Sequence, residues 1–128
     1  MTSEAEIIER VQSNLRGPGG DWETAFEDVL GERLLVFKNR HKSIREMFNA
    51  NIATWASREF LVLGERRVTY EELKSCVEST AYRMQTQCGI KQGDRVAILG
   101  ANSPEWVISF FAATHLGAIV AALNGWWT

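Results

Sequence analysis

With 128 residues, the chain is long enough for one modest domain around a single core. Apolar residues make up 45% and charged residues 23%, ordinary globular usage that excludes a disordered chain. A formal net charge of −2 leaves no basic excess to hold a phosphate backbone, so nucleic acid is not expected as a partner.

No apolar run reaches the roughly 18 residues of a membrane span. The stretch from Met1 to Glu9 is acidic and polar, without the basic start and apolar segment of a secretion signal, so the cytoplasm is the expected compartment. The two cysteines, Cys76 and Cys88, fall in one helical stretch. Their spacing suits neither a zinc pair nor a disulfide framework, and both read as small core or semi-exposed residues. His41 and His115 have no metal-ligand neighbour at helical spacing, so no metal site is expected.

Along the chain, Thr2 or Ser3 can cap a first helix with Ile7, Ile8, Val11 and Leu15 on one narrow face. Gly17-Pro18-Gly19-Gly20 breaks it. Two β-prone runs around a glycine turn predict a hairpin over 26–37, and a second follows over 60–69. Both contain Val-Leu-Gly-Glu-Arg, which reads as shared turn chemistry, since the flanks are unlike and argue against a repeat. Between them Ser43 caps a helix with Ile44, Met47, Phe48, Ile52 and Trp55 on one face, and Glu46 has capping-box spacing. Thr69, with Glu72, caps a longer helix carrying Leu73, Val77, Ala81 and Met84, which stops at Cys88-Gly89.

Lys91-Gln92-Gly93-Asp94 predicts a turn, and 95–99 a buried strand. Ser103 then caps a helix with Pro104 at its first position, running to about His115 and ending near Gly117. The span 118–123 predicts another buried strand. Strand, helix and strand make a parallel βαβ unit with a right-handed crossover.

That unit is expected to be the edge of something larger. Parallel strands are normally covered on both faces within sheets of several strands. The crossover helix carries Trp106, Val107, Ile108, Phe110, Phe111, Ala112, Ala113 and Leu116, apolar around most of its circumference. Leaving three or four such side chains half exposed forfeits about 3–6 kcal/mol, against the roughly 5–15 kcal/mol a whole domain holds. The chain is therefore expected to be an incomplete N-terminal piece of a longer protein, weakly stable or self-associating through exposed apolar surface. The alternative is a complete small domain whose helices over 44–56 and 69–87 cover the strand pair.

Candidate chemistry is sparse. Gly100-Ala101-Asn102-Ser103 lies between a strand and a helix start, where a phosphate can bind, but it has neither G-x-G-x-x-G nor G-x-x-x-x-G-K-[ST] and reads first as a tight turn with an N-cap. Glu71 and Glu72 read as complements of the helix dipole rather than a catalytic pair. Trp126 and Trp127 read as core of a missing part or as the lining of an apolar pocket.

Four stretches in order carry a resemblance. Val68-Thr69-Tyr70-Glu71-Glu72-Leu73 resembles the first core motif of the AMP-forming acyl-CoA synthetases, the adenylate-forming ligases. Gly93-Asp94-Arg95-Val96-Ala97-Ile98 and Asn102-Ser103-Pro104-Glu105-Trp106 are similar to the stretches that follow it, and Gly117 to Asn124 resembles the second core motif. The resemblance covers residues 43–128, and Val36-Phe37-Lys38-Asn39 is similar to a lead-in of fatty-acyl members. Departures are Ala122 where proline is usual, His115 where lysine is frequent, and Gly125-Trp126-Trp127 where Pro-Arg-Leu is typical. They bear on the substrate branch.

The resemblance implies an α/β fold, a partial N-terminal subdomain with two β-hairpins and helices followed by the parallel βαβ unit. Residues 1–42 form the lead-in and 43–128 the start of the AMP-binding domain. It implies a parent enzyme that activates a fatty or aromatic carboxylic acid with ATP and Mg as acyl-AMP, then passes the acyl group to CoA. The family's phosphate loop, ribose-binding aspartate and catalytic lysine have no counterpart among these residues. No catalytic, cofactor-binding or metal-binding residue is therefore assigned, and the piece is expected to bind no cofactor and to be inactive alone. The competing reading is a non-catalytic, stand-alone interaction module that retains the scaffold.

Overall fold

The computed structural model describes residues 3–125, in two compact units that divide between His41 and Lys42.

The first unit opens with α1 (Glu4–Arg16). Ser3 Oγ accepts from the Glu6 N–H at 3.2 Å and the Glu6 carboxylate accepts from the Ser3 N–H at 2.8 Å, a complete capping box with Ser3 as the N-cap, while Thr2 lies outside the described residues. The apolar stripe finds little cover: Ile7, Ile8 and Val11 are exposed. After the glycine-rich reversal, β1 (Thr24–Val29) pairs antiparallel with β2 (Glu32–Phe37). Phe26 faces Leu35 and Asp28 faces Arg33, whose guanidinium lies over the Phe26 ring at 5.5 Å. Ion pairs at the open end join Lys38 to Glu23 (2.8 Å) and Arg40 to Glu27 (2.6 Å). No described residue of this unit is buried, so cross-strand pairs rather than a core hold it.

The second unit runs α2 (Ile44–Trp55), β3 (Glu59–Leu63), β4 (Arg66–Thr69), α3 (Tyr70–Cys88), β5 (Arg95–Leu99), α4 (Pro104–His115) and β6 (Ile119–Leu123). Its core joins Phe48 and Ile52 of α2, Val68 of β4, Leu73, Val77 and Ala81 of α3, and Ile108 and Ala112 of α4. Leu73 and Val77 are fully buried. Thr69 and Glu72 form a complete capping box on α3, and the two N–H groups that follow, of Tyr70 and Glu71, donate to the carbonyls of Arg58 and Ala56 just past α2. The helix stops at Gly89, which takes the left-handed φ of 68°.

β5 and β6 pair in parallel, Arg95 beside Ile119 through Leu99 beside Leu123, with α4 as the crossover. The starts of the two strands are tied together, where the Gly93 N–H donates to the Gly117 carbonyl (3.0 Å) and the Ile119 N–H to the Asp94 carbonyl (2.7 Å). The mixed α/β architecture is therefore the expected one, two hairpins and helices followed by a βαβ unit.

Three local expectations need correction. The strands of the pair are not buried throughout. Val96, Ile98 and Val120 are the covered positions, whereas Ala97, Leu99, Ile119, Ala121 and Leu123 share the opposite face and are exposed. The reason is that α2 and α3 pack on α4 and on each other, not on the second face of the pair. Next, Ser43 caps α2, but the Glu46 carboxylate accepts from the Lys42 N–H (2.7 Å), one residue before the reciprocal partner of a capping box. Last, the common pentapeptide does not make a common turn. In the first hairpin its central residues are Leu30 and Gly31, both with positive φ (52° and 88°), the pattern of a type I′ turn. In the second they are Gly64 and Glu65, with only Gly64 positive at 57°, the pattern of type II′. The one-residue shift sets Leu61 opposite Val68, both toward the core, where the other turn would set Val68 opposite Glu59.

Two stability tests follow. Leu30 is fully exposed and held in a left-handed conformation that costs a leucine about 1–2 kcal/mol. Leu30→Asn should stabilise the first hairpin by about 1 kcal/mol, read as larger strand-type Hα shifts over 24–37 in NMR. Leu73→Ala should cost the second unit about 2–5 kcal/mol, read as a lower urea midpoint.

Candidate functional site

In open α/β sheets ligands sit beyond the carboxyl ends of the strands. That place in this chain is an open recess of about 500 Å³, lined by the turn from Gly100 to Asn102, by Trp106 on the first turn of α4, and by Leu123, Asn124 and Gly125 after β6. Each lining group is set by its element. β5 delivers the turn after Leu99. Extended backbone at Ser103 (φ −153°, ψ 161°) starts α4, and its Oγ accepts from the Trp106 N–H at 3.2 Å. Pro104, at the first helical position, is buried and fixes the entry. Trp106 then stacks nearly parallel on Phe110, with centroids 5.8 Å apart.

The electrostatics of this helix start do not favour an anion. The Ser103 hydroxyl already answers one free N–H, and Glu105 stands in the first turn. The Glu105 carboxylate pairs with Arg66 of β4, and that hydrogen bond, followed by one from its own backbone N–H, holds its pKa below the usual range. The helix dipole is thus met by a resident carboxylate. The recess lining offers amides, an indole and an apolar side chain, and no titratable group.

The remaining sequence candidates are not among the residues that line this recess. Glu72 closes the α3 capping box, and hydrogen bonds from the Thr69 N–H and hydroxyl lower its pKa. Glu71 is exposed on the same first turn. Cys76 and Cys88 are free thiols exposed on α3. His115 ends α4, half-buried, and His41 belongs to the first unit. Among the described residues no group of three His, Cys, Asp or Glu is placed to hold a metal ion, and no helix is long and apolar enough to cross a membrane. Trp126 and Trp127 lie outside the described residues. Sequence reasoning missed the Arg66–Glu105 pair, because a contact between residues 39 apart leaves no local signal.

Comparison with known proteins bears on this scaffold directly. The sequence profile of a family described as AMP-binding enzyme matches residues 48–128. The chain belongs to the AMP-binding enzyme family. Relatives within the family include 4-coumarate–CoA ligase CCL1 of Humulus lupulus, 30% identical over 73% of this chain and 17% of its own length. The medium/long-chain-fatty-acid–CoA ligase FadD6 of Mycobacterium tuberculosis is 32% identical over 71% of this chain and 15% of its own. The 3-hydroxybenzoate–CoA ligase of Aromatoleum sp. is 39% identical over 54% of this chain and 13% of its own. The chain thus spans between 13% and 17% of the length of these relatives. Among solved structures, the N-terminal subdomain of Klebsiella oxytoca NpsA superposes with a TM-score of 0.66 at 28% identity, covering 69% of this chain and 23% of that one. The fold is therefore that of the corresponding part of this N-terminal subdomain.

The Ser103 cap sets the wall of the recess. Ser103→Ala should cost about 1 kcal/mol of stability, measured by urea unfolding of the second unit, because the Trp106 N–H loses its partner.

Proposed function

We propose that this chain is the opening part of the AMP-binding domain of a cytoplasmic ATP-dependent acid–thiol ligase. In the complete protein a carboxylate oxygen attacks the α-phosphorus of Mg-bound ATP, the bond to the β-phosphate oxygen breaks, and pyrophosphate leaves with an acyl-AMP formed. The thiolate of CoA then attacks the acyl carbon and AMP departs as the thioester forms. The acid is fatty or aromatic, classes that several of the relatives are named for. The observation that carries this reading is the family match over residues 48–128, on a scaffold whose core residues lie in the matched span.

In this reading residues 1–42 are a lead-in, residues 43–128 begin the catalytic domain, and the residues present build scaffold. ATP and Mg need a phosphate-cradling loop and a positioned cation, which in this family are a Ser/Thr/Gly-rich loop closing with Pro-Lys-Gly and a later lysine. Neither occurs in these 128 residues. None of these residues is given a catalytic, cofactor or metal role, and the chain by itself is inactive and self-associates.

A second reading, a non-catalytic interaction module on the same scaffold, has one observation in its favour, the exposed apolar face of Ala97, Leu99, Ile119, Ala121 and Leu123. A reading frame that continues past Thr128 into a lysine-containing Ser/Thr/Gly-rich loop excludes it.

The purified chain should catalyse no ATP–pyrophosphate exchange with fatty or aromatic acids, and exchange above background overturns the inactive-scaffold reading. A chimera carrying residues 48–124 in the N-terminal subdomain of Klebsiella oxytoca NpsA, in place of the superposed stretch, should still bind the 3-hydroxybenzoyl-AMSN with which that subdomain has been solved. A folded chimera that does not bind it refutes the scaffold equivalence.

A further inference from the structure

Among the described residues one buried side-chain nitrogen or oxygen has no hydrogen-bond partner, Nδ1 of His115. The residue ends α4, where that helix packs against both α2 and α3. From α2, Arg45 reaches back to the His115 carbonyl (Nη1 to O, 3.5 Å). From α3, Lys74 and Glu78 act on the ring through their charges, and they pair with each other at 2.6 Å.

A neutral imidazole can leave one nitrogen bare, whereas an imidazolium carries an N–H on both. Protonation of His115 therefore puts a donor on Nδ1 where no acceptor meets it, and a positive charge beside Arg45 and Lys74. The opposing carboxylate, Glu78, is already engaged by Lys74. The helix most exposed to this cost is α2. It is held by Phe48 and Ile52, its only buried residues, with Phe48 stacked on Phe111 of α4 at 4.6 Å. By contrast α3 contributes Leu73, Val77 and Ala81 to the same core.

We propose that His115 is an acid-sensitive latch on the seam between α2 and α4, and that its protonation loosens α2 from the rest of the second unit. The ring's surroundings agree: burial first, and then Arg45, lowers its pKa from the ordinary 6.5. In the unfolded chain the group titrates near 6.5, so below that pH the unfolded state binds more protons than the folded one. The latch is fully closed above the unfolded value and releases as pH falls through the lower folded one.

The test uses the 128-residue chain. Imidazole C–H signals, assigned with His115→Gln, are titrated by NMR, and amide exchange of α2 and α3 is compared at pH 7.5 and 5.5 after correction for intrinsic rates. His115 should titrate below pH 6.5. Protection of α2 amides should fall more than that of α3 across this interval, by up to about tenfold, since each pH unit below the unfolded value weighs at most tenfold. His115→Gln should remove the difference, and Arg45→Met should raise the imidazole pKa and shrink it. If the Gln variant does not fold, Arg45→Met and the native titration decide. Titration of His115 at or above 6.5, or equal acid response of α2 and α3, overturns the proposal, as does an unchanged response in a folded Gln variant.

Discussion

The second unit depends on how closely α4 can approach its neighbours. Ala112 and Ala113 are fully buried, and beside them Ile108 meets a surface made by Leu73, Val77 and Ala81 of α3. Side chains this small on α4 let two helix backbones come near enough for the larger ones on α3 to close the gap, at the dense packing of protein interiors. With α3 seated, α2 adds Phe48 against Phe111, and Phe60 meets Phe111 edge-on from the second hairpin. On its other side the same helix roofs one face of the strand pair. Removing α4 would leave the hairpin, two helices and the parallel strands with no common surface.

This arrangement also explains why so little chemistry is present. The side chains that the sequence makes distinctive, capping residues, turn glycines and alanines, set where elements start and how near they come. Thr69 and Glu72 begin α3, Ser103 and Pro104 begin α4, and the Gly93–Gly117 contact sets the starts of β5 and β6 side by side. What emerges at the carboxyl ends of β5 and β6 is a recess with an indole wall and two amides. The relatives in this family are several times the length of this chain.

Much of this was legible in the sequence wherever the signal was local. The stop at Gly89, the caps at Ser3, Ser43, Thr69 and Ser103, and the βαβ order follow from residues within a turn of each other. The strand pair was harder. A run such as Val96-Ala97-Ile98-Leu99 is apolar on both faces, so its pattern reports what the segment can bury and not what is there to cover it. The Glu46 carboxylate moved to Lys42 because a flexible side chain can choose between two adjacent N–H groups, a choice that spacing alone does not decide. The surroundings of His115, assembled from three helices, and the Arg66–Glu105 pair were invisible for the same reason: each depends on distant residues being brought together.

The pentapeptide that closes both hairpins shows what local sequence leaves open and packing decides. Five identical residues form a type I′ turn in one place and a type II′ turn in the other, so the string by itself does not specify a turn type. For Leu61 and Val68 the pairing is selected by the apolar surface they must reach. The alignment of the hairpin over 59–69 is thus fixed by its packing on the core it shares with α3 and α4, and the turn type follows from that register.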